Sequence, residues 1–407
     1  MSIRNLPYWL DRFPNAQRPS YQRFRGTADT TVVIVGGGLT GCACAASFAA
    51  AGVKVVLLEA EAVGAGRTAR DLGLVREDFD ASFQETVAAH GLRASRTLWR
   101  AMHRASLDFS AALRRMQVKC ALAPEDLLSF ARRDPESARQ MQREYRSRRA
   151  AGLEHTWLTP AAFARETGLE SGGAIRTRGA SLDPYRACVA LAAAAAARGA
   201  VLHETSPVRR VRAGRKQVEV TTDKGTVRAE AVVIETAAPL PDLRALRRHL
   251  KPQIGYAVVT EPLPAAVRRE VGRQAAALRD SAAPPHMLRW MREDRVLFSG
   301  ADQREIPSRA RDKALVQRTG QLMYELSTLY PAISGLQPEW AWDYTHYETV
   351  DRLPFVGLHR NFPRHLFALG AGRHGAGFAW LAARTLLRQH QGESAQGDEL
   401  FNFARVL

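Results

Sequence analysis

Lysine, cysteine and long apolar runs are what this 407-residue chain has least of. Six lysines (Lys54, Lys119, Lys216, Lys224, Lys251 and Lys313) stand among 58 basic residues, so arginine carries almost all of a net charge of +17. Such an excess suits a polyanionic partner such as RNA. Acids are interleaved with the arginines, as in "RRDPESARQMQREYRSRR" at 132–149, and no RNA-binding motif accompanies them. A nucleic-acid partner is therefore disfavoured, and arginine-biased composition accounts for the charge. The four cysteines (Cys42, Cys44, Cys120 and Cys188) form no CxxC pair. That excludes a zinc ribbon and a disulfide framework, and no metal site is expected. Cys42 and Cys44 read as small buried residues of a helix. No stretch approaches the roughly 18 uninterrupted apolar residues of a membrane span. The alanine-rich run at 191–197 is closed by Arg198 and Gly199. The first residues lack the continuous apolar core of a signal peptide. The expectation is a reduced, cytoplasmic protein with no membrane span, its 46% hydrophobic residues filling one large core or two modest ones.

What is abundant is glycine in one place. "VVIVGGGLTGCACAASFAAAGVKVVLLEA" starts at Val32 and ends at Ala60. Residues 31–35 are an apolar, largely β-branched run, read as a buried parallel strand. Gly36, Gly38 and Gly41 follow as G-x-G-x-x-G, with Gly37 as an extra glycine. In this pattern the first glycine permits a tight turn, the second lets a pyrophosphate approach, and the third packs the helix on the strand. The predicted helix 39–51 aims its free N–H groups at the phosphate, and 53–58 forms the next strand. Glu59 at that strand's tip can accept hydrogen bonds from a ribose. An acid there argues against an NADP 2′-phosphate but does not separate NAD from FAD.

A simple NAD dehydrogenase would continue with βα units. Here "VGAGRTARDLGLV" (63–75) adds a second glycine-bearing loop, and a polar helical region from 79 to about 149 interrupts the sheet. Strands return at "KQVEVTTDKGTVRAEAVVIET", read as two short strands around 223–225 and a buried one at 231–236. "HLFALGAGRHGAGFAWLAARTLL" is a late strand, glycine loop and helix, with the helix at 378–388. The fold expected is α/β, α+β overall. A Rossmann-like dinucleotide domain in pieces (29–80, 151–245 and 346–407) carries an inserted β-rich substrate or cap domain (81–150 and 246–345), behind an N-terminal extension (1–28).

Most of the chain resembles the FAD-dependent D-amino acid oxidase/sarcosine oxidase superfamily, and within it the gamma-glutamylputrescine oxidase-like branch. The resemblance rests on the glycine segment, on "VGAGRTARDLGLV", "VVIETAAPLPDLRALRRHLKPQIGYAVVTEPL", "LRWMREDRVLFSG" and "TVDRLPFVG", and on "LFALGAGRHGAGFAWLAARTL". It implies FAD and oxidation of a C–N bond in an amine or amino acid, by hydride transfer to flavin N5. O2 or another carrier would accept the electrons. It implies cofactor contacts at Gly36, Gly37, Gly38, Leu39, Thr40, Gly41, Glu59, Ala60, Arg67, Thr68, Gly73, Leu74, Val208, Gly372, Arg373, His374 and Gly375. The chain departs from the family where Ala69 and Leu72 replace loop glycines and where Glu235 replaces a small residue. No cysteine lies in the 370–377 loop and no histidine at 64–73, so the FAD is expected to be non-covalent.

The 370–377 loop precedes a helix whose positive end suits the negative charge of a reduced flavin. His374 and His346 are the candidate catalytic residues. Amino-acid oxidases of the superfamily often carry a carboxylate-gripping arginine three residues before the threonine of T-x-D. Here that position is His346, before Thr349 and Asp351. A histidine lacks the guanidinium fork, so amines or N-substituted amines are favoured over simple α-amino acids. Tyr256, Trp290, Tyr344 and His346 are the candidate substrate-binding residues. Trp342, Tyr344 and His346 share one face if their segment is a strand. Two further readings are a tRNA-directed enzyme that removes a carboxymethyl-type group from a modified uridine, and a non-catalytic flavoprotein-like subunit.

Overall fold

Val32 to Val35 are 0–3% exposed, so the strand that carries them must be covered on both faces. In the computed structural model, which describes residues 3–236, 240–271, 275–373 and 375–406, that strand is Gly26–Val35, inside an eight-stranded sheet. It pairs in parallel with Val55–Leu58 and with Gly225–Ile234. Val201–His203 extends the sheet past Val55–Leu58. On the other side the first half of Gly225–Ile234 pairs antiparallel with Val218–Thr222, while its last residues pair in parallel with Phe362–Leu369. Val208–Ala213 and Phe355–His359 complete the sheet.

Three helices cover one face. Leu39–Ala50 packs against both Pro184–Ala196 and Ala376–His390. Their contact residues are mostly alanine, with Cys42, Cys44 and Cys188 among them, so the helices approach closely. The opposite face is closed by Phe24, Leu243, Leu246, Leu250 and Phe403. Each fully buried Val or Leu in these layers contributes about 1.5–3 kcal/mol relative to exposure.

A second eight-stranded sheet runs Pro338–Glu348, Lys251–Thr260, Arg295–Arg304, Met287–Met291, Ala276–Asp280, Asp126–Phe130, Ala174–Thr177, Thr156–Leu158. One face packs on the helix Arg311–Leu329 through Leu322 and Leu326. The other packs on the glycine-bearing loop and the N-terminal segment, through Ala69, Leu72, Tyr8, Trp9, Trp340 and Trp342.

The helical region expected from 79 to about 149 is divided. Ser82 and Glu85 form a capping box that opens the helix Phe83–Arg115, and Asp134 caps Pro135–Ala150. Between them Asp126–Phe130 pairs in parallel with Ala276–Asp280, a partner too distant in sequence for local patterning to reveal. Gly225–Ile234 is one strand of ten residues, where a hairpin strand followed by a separate buried strand was expected. Two strands within 151–245, Thr156–Leu158 and Ala174–Thr177, hydrogen-bond into the second sheet rather than the first. Among the described residues no helix is long and apolar enough to cross a membrane.

Candidate functional site

The parallel strands of the first sheet end together, and the loops that leave them build a cleft of about 330 Å³. Open α/β sheets bind ligands at this edge. The glycine loop forms its floor. Gly36 turns at φ +113°, and a Cβ there would lie 2.1 Å from the Glu235 carbonyl oxygen. A Cβ on Gly41 would lie 1.9 Å from the Gly36 carbonyl oxygen, so only glycine lets the helix Leu39–Ala50 start where it does. Glu59 accepts hydrogen bonds from the N–H of Gly37 (2.6 Å) and of Glu61 (2.9 Å). Burial pushes its carboxyl above the ordinary range, against the pull of these backbone donors.

The second loop docks on the first: Gly64 N–H donates to Gly37 O, and Leu39 N–H donates to Thr68 Oγ1 at 2.8 Å. Arg67 lies 4.4 Å over the Tyr344 ring and pairs with Asp71 at 3.3 Å. Ala69 and Leu72, where related loops have glycine, point into the apolar layer against the second sheet. The C-terminal loop closes the cleft with Gly370, Ala371, Gly372 and Gly375. Gly372 N–H donates to Tyr347 O at 3.2 Å, which ties this loop to the strand carrying His346.

His346 continues the buried row Trp340, Trp342, Tyr344 on one face of Pro338–Glu348, as its spacing predicts, and it lines the cleft. Its Nε2 lies 2.8 Å from Asp302 Oδ2. A carboxylate only accepts, so Nε2 carries the proton, and Nδ1 is left as a buried acceptor with no partner among the described residues. Asp302 Oδ2 also accepts from Arg373 Nη2. Burial alone would lower the Arg373 guanidinium, but the charge and hydrogen bond of Asp302, with Tyr344 and Asp80 beside it, together outweigh this and raise it. Asp302 is the residue that sequence reasoning missed. Along Arg295–Arg304, Val296 and Phe298 face the helix Arg311–Leu329, and simple alternation would place residue 302 with them. A bulge opposite Ile254 and Tyr256, with Ala301 at φ +53°, shifts the register and turns Asp302 to the His346 side. A charged residue ending an apolar strand beside a glycine, "FSGADQ", is the signal that was available.

Asp302 and Arg373 also line a second cavity of about 640 Å³, bounded by the helix starts at Ser82 and Ser137 and by strand ends of the second sheet. The His346–Asp302–Arg373 chain is therefore shared between the walls of the two cavities. Six carboxylates (Asp80, Glu85, Glu144, Asp280, Asp302, Glu348) and four guanidiniums (Arg148, Arg279, Arg352, Arg373) line the second one. Burial, with the charge of Arg76 next, brings the Arg279 guanidinium down to about 10, which still leaves it charged at neutral pH.

Of the cofactor candidates, Gly36, Gly38, Leu39, Thr40, Glu59, Ala60, Arg67, Thr68, Val208, Gly372 and Gly375 line the cleft. Gly37 and Gly41 form the loop behind it, and Arg373 lies on the second cavity. Gly73 and Leu74 are displaced. Gly73 turns at φ +70° against Leu182 and Arg289, and Leu74 is packed in the apolar layer. Tyr256 and Trp290, expected to bind substrate, lie away from both cavities. Both stand on the far face of the second sheet, where the Tyr256 hydroxyl accepts from Gln303 at 2.6 Å and Trp290 meets Tyr330 edge-on at 5.6 Å. Tyr344 shares the His346 face but is 2% exposed beneath Arg67. His374 lies outside the described residues. Among the described residues no His, Cys, Asp and Glu group has metal-holding geometry.

A family model described as DAO, FAD dependent oxidoreductase, matches residues 31–389. Gamma-glutamylputrescine oxidoreductase of Escherichia coli (strain K12) is 24% identical over 376 residues, spanning 91% of this chain and 86% of that protein. Glycine oxidase from Geobacillus kaustophilus superposes with a TM-score of 0.72 at 21% identity, over 91% of this chain and 96% of its own. L-proline dehydrogenase from P. horikoshii superposes with a TM-score of 0.76 at 19% identity, over 92% of this chain and 97% of its own. At these identities the two structures speak for the fold.

Proposed function

The chain belongs to the DAO family of FAD-dependent oxidoreductases, and from that premise we propose that it oxidises the C–N bond of an amine or N-substituted amine held in the second cavity. The cleft suits the dinucleotide. Gly36 and Gly41 in its floor leave no room for a Cβ, Glu59 stands at the tip of the second strand, and the C-terminal glycine loop closes the far end. Gly36 to Gly41 and the start of helix Leu39–Ala50 would hold the pyrophosphate, and Glu59 the adenosine ribose. The cofactor is non-covalent on this reading. Acid precipitation should release all flavin to the supernatant, and colour retained in the pellet would show the opposite. When bound, FAD supplies the acceptor for a hydride equivalent at N5.

The observation that carries the reading is the buried His346–Asp302–Arg373 chain in the walls of both cavities. Asp302 fixes the imidazole with its proton on Nε2. His346 lines the cofactor cleft, so its bare Nδ1 would take the proton of a substrate ammonium that reaches from the second cavity toward the flavin, leaving the neutral amine that C–N oxidation requires. Arg373 pairs with the buried Asp302 carboxylate and holds it in place against Nε2–H. The substrate class rests on charge. Carboxylates outnumber guanidiniums around the second cavity although the chain as a whole carries +17, which favours a cationic ligand there. The names of its relatives point to substrates containing an amine nitrogen.

The test is anaerobic bleaching of the flavin by a panel of polyamines, N-alkylated amines, glycine and D-alanine. Amines should reduce the flavin, and glycine and D-alanine slowly or not at all. Rapid reduction by D-alanine, with none by any amine, would overturn the assignment. Turnover with O2 against a dye acceptor then separates an oxidase from a dehydrogenase.

A further inference from the structure

Glu235 follows the buried strand Gly225–Ile234, and its N–H donates to Val35 O at 3.0 Å. Its side chain lies along the glycine loop. Oε2 lies 3.2, 3.3 and 3.6 Å from where a Cβ would sit on Gly36, Gly38 and Gly41. The carboxyl sits at the first turn of helix Leu39–Ala50, where the Thr40 hydroxyl and the Gly41 N–H pull its titration down. Gly38, the N-cap of that helix, has no side chain to fill this role. Glu235 therefore occupies the positive end of the helix, where a phosphate is ordinarily received, and it lines the cleft.

Two anions cannot share that end. The titratable groups facing Glu235 are Glu59 from the second strand, Cys44 from the helix above it, and Cys188 from Pro184–Ala196. No cation is among them in the described residues. Burial pushes the carboxyl up to about 8, against the pull of the Thr40 hydroxyl and with the Glu59 charge adding to the push.

We propose that Glu235 is a ligand of the FAD pyrophosphate in its neutral form only. As the acid it donates a hydrogen bond to a phosphate oxygen. As the carboxylate it keeps the helix end for itself and excludes the dinucleotide. Loading is then coupled to a proton. Below the titration of Glu235 the acid is already neutral and FAD binds without proton uptake. Above it, each FAD bound draws one proton from solvent, and the Kd rises about tenfold per pH unit. None of this depends on the amine chemistry.

The test uses apoprotein, FAD and ADP-ribose, which keeps the pyrophosphate but lacks the flavin ring. Affinity is followed from about pH 6.5 to 9.5 by flavin fluorescence and calorimetry. The wild type should hold a constant Kd to near pH 8 and then weaken about tenfold by pH 9, for both ligands. Calorimetry in buffers of different ionisation enthalpy should count close to one proton taken up at pH 9. Glu235→Gln, neutral at every pH, should bind FAD with no slope across this range. A flat wild-type profile with no proton uptake would overturn the proposal. So would a Gln variant that keeps the full slope, or a wild type that binds neither ligand at any pH. If circular dichroism shows that Glu235→Gln does not fold, the wild-type proton count alone decides.

Discussion

Both oxygens of Glu59 are engaged by backbone N–H groups, Oε2 by Gly37 and Oε1 by Glu61. The side chain is thereby held rigid, with acceptor lone pairs to spare for a ribose. Glu59→Ala should weaken FAD binding by about 1–3 kcal/mol, read by flavin fluorescence titration. Unchanged affinity, or NAD binding tighter than FAD, would move the adenosine elsewhere. In the proposed reaction Asp302 acts through His346, as a positioning residue. Asp302→Asn frees the imidazole to adopt either tautomer, so amine-driven flavin reduction should slow by about 10²–10⁴ and change its pH profile, with FAD affinity nearly unchanged. A uniform loss at every pH would point to a packing role instead. The two residues differ in how readable they were. Glu59 follows a strand at a spacing that carries its own chemistry, whereas Asp302 is brought to His346 by a bulge that alternation cannot foresee.

Helix Leu39–Ala50 meets the first strand where there is no room for a side chain at Gly41. Gly41→Ala should push the helix start off the loop. It should cost about 1–3 kcal/mol in urea unfolding and a larger share of FAD affinity, because the floor of the cleft moves with it. An alanine variant with wild-type affinity would mean that the loop can adjust. The strand, glycine loop and helix were legible at this scale because every signal in them is local. The strand Asp126–Phe130 was not. "DLLSF" is too short to show a period, and what makes it a strand is Ala276–Asp280 beside it. The same dependence on remote partners hid the faces of Tyr256 and Trp290, which are settled by the helix Arg311–Leu329 on which that side of the sheet packs.

Across the whole molecule, two kinds of buried carboxyl limit stability from opposite sides. Burial would raise Asp351, but the hydrogen bonds and charge of Arg405 prevail and hold it below the ordinary range. His103 and His155 hold Glu77 down in the same way. A lowered folded value means their contribution is present above the unfolded carboxylate range and is lost as pH falls through the folded one. Glu235 is raised, so its contribution is full at acid pH and is lost as pH rises through about 8. The urea midpoint of the apoprotein should therefore fall on both flanks. Asp351→Asn should cost about 3–5 kcal/mol near neutrality by leaving Arg405 buried without its charge partner. Glu235→Gln should flatten only the fall that runs from the unfolded carboxylate range up to about pH 8. The three-layer plan also constrains synthesis on the ribosome. Gly26–Val35 and Phe362–Leu369 flank the same strand, and Leu39–Ala50 packs on Ala376–His390. The first strand to emerge must therefore wait for nearly the last, about 20–70 s later at ordinary elongation rates. Throughout that interval the apolar end of that strand, Val32 to Val35, and the largely apolar helix stand open to nascent-chain chaperones, and a chain truncated before its final helix lacks one wall of the cradle that receives its cofactor.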